Sequence, residues 1–125
     1  MTFKWNKKYT YPASVRSLVN DARHYSVGDE KLPSVTTILS ATQSSEKRES
    51  LARWQAKVGK NEAERVKNVA GKRGTAMHQY LEYMVAEKNL LDLTEEGVEA
   101  QRMAEVVRDK GFNDLEEIWG SEVVL

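Results

Sequence analysis

Gly71-Lys-Arg-Gly-Thr-Ala-Met-His78-Gln-Tyr-Leu-Glu82 is the stretch whose reading decides how this chain folds. Its second half leads into helical spacing, with Met77, Leu81, Met84 and Val85 recurring at intervals that put them along one face. Its first half carries two glycines and a threonine that interrupt this pattern. Glycine costs a helix interior about 1 kcal/mol relative to alanine, and threonine is a good N-cap. The expectation is a bend over residues 71–74 and a new helical turn capped by Thr75, with Lys72 and Arg73 at the bend. His78 and Glu82 are four apart and flank the apolar line, which predicts a titratable pair looking inward.

Working upstream, Asn61 and Glu64 have the spacing of a capping box, and Ala63, Val66, Val69 and Ala70 give that helix its apolar positions. Gly59 closes the helix before it, where Leu51, Trp54 and Val58 make a stripe expected to be buried, with Trp54 in the core. Lys47, Arg48, Arg53 and Lys57 occupy its other faces, either as a solvated surface or as a surface that tracks phosphates. A polar linker over residues 40–45 ends in a capping serine. Ser34 is placed to cap a short helix over 35–39. Residues 23–27 read as a strand, and Gly28-Asp-Glu as a turn leading to Lys31-Leu32, so a short amino-terminal hairpin is predicted. Residues 1–22 interleave Trp5, Tyr9 and Tyr11 with Lys4, Lys7 and Lys8, which suits a loosely docked arm or one that stacks on nucleotides.

Downstream, the helix is expected to continue to about Glu87. Thr94 opens another with Val98, Met103, Val106 and Val107 as its stripe and Gly111 at its C′ position. From Leu115 the pattern alternates with period two to Leu125, which predicts a carboxyl-terminal strand. An apolar strand with nothing after it to pair with invites another chain, so the sequence reads as stopping in mid-fold. The fold class expected is mostly α, with the amino-terminal hairpin and this terminal strand.

In 125 residues with 40% hydrophobic content, one domain with a modest core is expected. Nineteen basic and 19 acidic residues cancel, so attraction to nucleic acid must come from a local patch. The absence of cysteine excludes disulfides and thiolate chemistry. No apolar signal core opens the chain, and no apolar run approaches the roughly 20 residues that span a bilayer, so a cytosolic chain with no membrane partner is expected. Two residues are left as candidates for chemistry. His78 is either a core histidine satisfied by a neighbour such as Glu82 or a metal ligand. Glu122 is either a carboxylate that needs a cation inside an apolar strand end or an ordinary edge residue.

Leu32-Pro-Ser-Val-Thr-Thr-Ile-Leu39, Leu51 to Trp54, Arg73-Gly-Thr-Ala-Met-His78-Gln-Tyr-Leu-Glu82 and Gly120-Ser-Glu122 together resemble the amino-terminal half of RecB-like PD-(D/E)XK exonucleases, in the phage branch related to the mitochondrial genome maintenance exonuclease. The resemblance covers residues 23–125, leaving 1–22 as the arm. It implies an incomplete α/β nuclease fold in which His78 is a catalytic metal ligand and Glu122 a further catalytic residue. It also implies that Arg73 and Thr75 shape the site or touch DNA, and that Arg53 and Lys72 contact the phosphates of single-stranded DNA. The metal implied is Mg²⁺ or Mn²⁺, and the cell a phage-infected bacterium. The family's Gly-x-x-Asp aspartate and Asp/Glu-x-Lys strand have no counterpart here. The expectation is a split nuclease, inactive alone and completed by a second polypeptide that carries those motifs. A DNA-binding or regulatory module without catalysis and an inert fragment are the alternatives.

Overall fold

The structure, a computed structural model, describes residues 3–125. These fall into two compact units, one of residues 10–59 with 123–125 and the other of residues 3–9 with 60–122. Two units stand where one domain was expected from chain length, and the modest core belongs to the second of them. The division also cuts through the arm at 1–22.

The first unit contains a three-stranded antiparallel meander, β1 (Val15–Val19), β2 (Ala22–Val27) and β3 (Glu30–Pro33), in that order. The β2–β3 hairpin is the one expected, with Gly28 at φ 59° and Val27 opposite Glu30. β1 is an addition to it, formed by residues assigned to the arm. Its turn is Asn20-Asp21, with φ 51° and 62°, and Val19 opposite Ala22. Two positive φ values in a two-residue loop are the mark of a type I′ turn, whose twist matches that of the strands. Asn and Asp tolerate this region best among non-glycine residues, so the turn forms without the glycine that would have advertised it.

α1 (Val35–Ala41) starts as expected. The Ser34 hydroxyl accepts from the Thr37 N–H at 3.1 Å. The Ser34 N–H (3.0 Å) and the Thr37 hydroxyl (2.9 Å) both donate to the Arg23 carbonyl, which ties the start of the helix to β2. α2 (Ser45–Val58) is capped by Ser44 and stopped by Gly59 at φ 88°. Its stripe is not buried. Leu51 is 47% and Trp54 38% exposed, which removes Trp54 from the core. Among residues 10–59 Ser34 alone is buried.

In the second unit α3 (Lys60–Val85) packs on α4 (Glu95–Gly111). α3 begins at Lys60, one residue ahead of the expected capping Asn61, and passes through Gly71, Gly74 and Thr75 without a break. The predicted bend and the Thr75 cap are therefore corrected. Burial of Ala76 and Tyr80 against Ala100 and Ala104, with Met77, Leu81 and Met84 alongside, outweighs the cost of two helical glycines. The Tyr80 hydroxyl accepts from the Asp92 N–H at 3.0 Å, pinning the connection between the helices. α3 closes with Glu87 at φ 58° and the Lys88 N–H on the Tyr83 carbonyl at 2.8 Å, a left-handed C-terminal turn.

Thr94 caps α4 as expected, accepting from the Gly97 N–H at 3.0 Å. The side of α4 that packs is different from the one predicted: Gly97, Ala100 and Ala104 are buried, while Val98, Val106 and Val107 are exposed. Small residues let the two backbones approach closely enough for Tyr80 to fill the space between them. Gly111 is the last helical residue, with φ −118°, and a single 3-10 turn follows at Phe112–Asp114.

The terminal strand is also corrected. Over residues 115–125 the only ladder contact among the described residues is a parallel bridge between Ile118 and Trp5. The Asn6 N–H donates to the Ile118 carbonyl and the Ile118 N–H to the Lys4 carbonyl, both at 2.8 Å. Residues 3–9 are thus docked, with Phe3 edge-on to Phe112 (5.5 Å between centroids) and Tyr9 stacked on Trp119 (5.3 Å). These aromatic faces meet protein rings. At the coarse level about 54% of the chain is helical beside one small sheet, as a mostly α expectation requires. Among the described residues no helix is long and apolar enough to cross a membrane.

Candidate functional site

The packed side of α3 runs through Ala76, Met77, Tyr80, Leu81 and Met84. His78 falls between these positions and on the opposite side, where it is exposed. Gly71, Gly74 and Thr75 precede it by seven, four and three residues and Glu82 follows by four, so these share its face. The inward-looking pair is therefore an outward-looking one, with Glu82 half-buried. Neither side chain has a hydrogen-bond or ion-pair partner among the described residues, so His78 is not a core histidine satisfied by Glu82. At Gly71 and Gly74 nothing stands within 4 Å of where a Cβ would be, so this stretch of helix surface is bare backbone open to solvent.

Arg73 is three, four and seven residues before Ala76, Met77 and Tyr80, and so belongs to the packed side, half-buried. The structure separates it from His78. Lys72 and Thr75 instead line an open groove of about 720 Å³ between α3 and the connection into α4. Lys67, Gln79, Asp92 and Glu96 line it as well. None of these four was a sequence candidate. Gln79 was legible from its offsets of four and seven residues to Thr75 and Lys72, whereas Asp92 and Glu96 come to the groove only through the packing of α4.

The groove carries both signs of charge. Asp92 is engaged, since its Oδ1 accepts from the Thr94 hydroxyl at 2.7 Å and the Thr94 N–H at 3.0 Å. Those bonds hold its carboxyl below the usual aspartate value, the hydroxyl contributing most and the backbone N–H next. The free cations of the groove are Lys67 and Lys72, neither of which has an ion-pair partner among the described residues.

Glu122 is exposed at φ 54°, in a bend and not in a strand, so the argument from a carboxylate buried in an apolar strand end does not apply to it. Arg53 lies in the other unit, exposed on α2. Arg48 of the same helix is committed to structure, its guanidinium donating to the Ala41 carbonyl at 3.2 Å. Among the described residues no three His, Asp or Glu side chains converge on one point. Mg²⁺ prefers near-octahedral oxygen coordination, and one imidazole with one carboxylate on a helical turn does not fit that requirement by itself. Comparison of the chain with protein-family models, with curated proteins and with solved structures returns no match.

Proposed function

We propose that this chain carries the histidine-bearing helix of a metal-dependent DNA exonuclease of the RecB-like PD-(D/E)XK kind, whose aspartate and Asp/Glu-x-Lys motif lie outside these 125 residues and can be supplied by a second polypeptide. The observation that carries the proposal is the outward face of α3. A histidine and a glutamate sit one turn apart, unpartnered among the described residues, beside glycines that leave room for close approach. Core packing does not account for such a pair. Phosphodiester hydrolysis by this class needs bound Mg²⁺ or Mn²⁺, and His78 and Glu82 offer only part of a ligand set, so the chain alone is expected to be inactive. Glu122 enters this site on the sequence resemblance only. Lys72, with Lys67 beside it, would contact DNA phosphates in the groove, Thr75 would hydrogen-bond there, and Arg53 would add a phosphate contact on α2. The half-buried position of Arg73 suits it to shaping the helix surface through its stem.

The non-catalytic alternative, a DNA-binding or regulatory module, draws on the two unpaired lysines of the groove. A nuclease assay on labelled single- and double-stranded DNA with Mg²⁺ or Mn²⁺ separates the two. It is run with the chain alone and with the product of a neighbouring reading frame that carries the aspartate and Asp/Glu-x-Lys motifs. Cleavage by the mixture only, abolished by His78→Ala while assembly is unchanged, is the expected outcome. Cleavage that survives His78→Ala takes this face out of the active site. DNA bound by the chain alone, with cleavage in neither arm, assigns the groove to the non-catalytic module.

A further inference from the structure

The two edges of the meander differ. β3 carries Glu30, Lys31 and Pro33, the charges and proline that blunt an edge against further pairing. β1 reads Val-Arg-Ser-Leu-Val, with Val15 68% and Leu18 65% exposed, and among the described residues no backbone group of β1 is bonded on its outer side. Val19 and Ala22 close a two-residue hairpin, which makes them a hydrogen-bonded pair. By the alternation of an antiparallel ladder, Ser17 opposite His24 and Val15 opposite Ser26 also bond inward. Arg16 and Leu18 are left with their N–H and C=O groups pointing outward.

A second observation lies at the middle of this edge. The Ser17 hydroxyl oxygen is buried and has no hydrogen-bond partner among the described residues. A buried polar group without a partner is destabilising, so a hydroxyl brought to it across this edge would relieve that cost.

We propose that β1 is a self-association edge on which two copies of this chain pair antiparallel, β1 against β1, about a twofold axis through Ser17. In that register Arg16 of each copy exchanges both backbone hydrogen bonds with Leu18 of the other, which uses the outward groups. Val15 faces Val19, and the Arg16 stem lies against Leu18. No like charges face each other. Ser17 meets Ser17 as a non-hydrogen-bonded pair, the closer of the two kinds at about 4.5 Å between Cα atoms, where one hydroxyl donates to the other. The strand is therefore complementary to itself, as an isologous contact requires, and the product is a six-stranded sheet with the blunted β3 edges outermost. An edge this short gives a contact well below about 1,000 Å², so the dimer is weak and concentration-dependent.

The native chain contains no cysteine, which makes single-cysteine cross-linking clean. Ser17→Cys places two thiols across the axis within disulfide reach, whereas Val15→Cys leaves its pair about 13 Å apart. Under mild oxidation the Ser17→Cys chain is expected to become a covalent dimer and the Val15→Cys chain to stay monomeric. Sedimentation of the wild-type chain should show a dimer growing with concentration. Leu18→Pro, which removes only an outward N–H, should abolish that dimer with the circular dichroism of the monomer unchanged. Three results would each overturn the proposal: equal cross-linking at both positions, a wild-type chain monomeric at every concentration, or a dimer that survives Leu18→Pro.

Discussion

Asp92 secures the approach to α4 from both of its ends. Its N–H donates to the Tyr80 hydroxyl and its carboxylate accepts twice from Thr94, the residue that caps the helix. Because those bonds favour the ionised form, the folded-state pKa lies below the ordinary 3.8. A depressed carboxylate contributes stability that is fully present above the unfolded-state value and is lost as pH falls through the folded one. Denaturation followed from about pH 7 to about pH 2 should therefore show the stability gap between the chain and Asp92→Asn shrinking only below the normal aspartate range. A gap independent of pH would mean that the contribution is purely geometric. The sequence did not reveal this residue, since Asn89-Leu-Leu-Asp-Leu93 reads as an apolar connection and the partners of Asp92 are set by the turn into α4 and by Tyr80 on another helix. His78 was legible as a chemical candidate. Its direction was not, because the side that α3 buries is fixed by where Ala100 and Ala104 lie.

Individual elements were most legible where a side chain acts on its own backbone. Ser34 and Thr94 cap the helices expected of them and Gly59 ends α2, because each is a contact over three or four residues. Where the outcome depends on a distant partner, the pattern misled. The alternation over 115–125 suits a strand, yet a strand needs a ladder, and only Trp5 supplies a rung. The glycines of α3 read as a break because helix propensity is local, whereas the packing that overrides it comes from α4. Three of the helical glycines give opposite predictions. Gly71→Ala and Gly74→Ala add a methyl to open space and should each stabilise the chain by about 0.5–1 kcal/mol. At Gly97 a Cβ would overlap the Asp92 carboxyl group, which must then leave Thr94, so Gly97→Ala should destabilise the chain despite alanine's better propensity. Thermal denaturation of the three variants tests the contrast, and stabilisation at Gly97 would show that Asp92 moves at no cost. On α2, Trp54→Ala should cost well under the roughly 3–5 kcal/mol of a core tryptophan, since Trp54 is 38% exposed. Urea denaturation giving the full core value would return Trp54 to the buried class.

Across the molecule, apolar burial is divided unequally between the two units. Residues 60–122 hold the cluster of Ala76, Tyr80, Ala100 and Ala104, together with buried Phe112 and Ile118. Residues 10–59 bury no apolar side chain, while Val15, Leu18, Leu32, Val35, Ile38, Leu39 and Leu51 all remain exposed. The sheet unit is held by its ladder hydrogen bonds and by the bonds that join α1 to β2. Water can compete for such bonds, so regions rich in them and poor in apolar contacts open at lower free energy than a packed core. Amide hydrogen exchange on dilute protein should therefore show slow exchange around residues 76–84 and 100–104, and earlier exchange throughout 10–59. Concentrating the sample should then protect the Arg16 and Leu18 amides selectively, because those are the N–H groups that pairing through β1 consumes, while the inward-bonded Ser17 amide changes less. Uniform protection across both units in dilute solution would mean that the sheet unit draws its stability from contacts other than these.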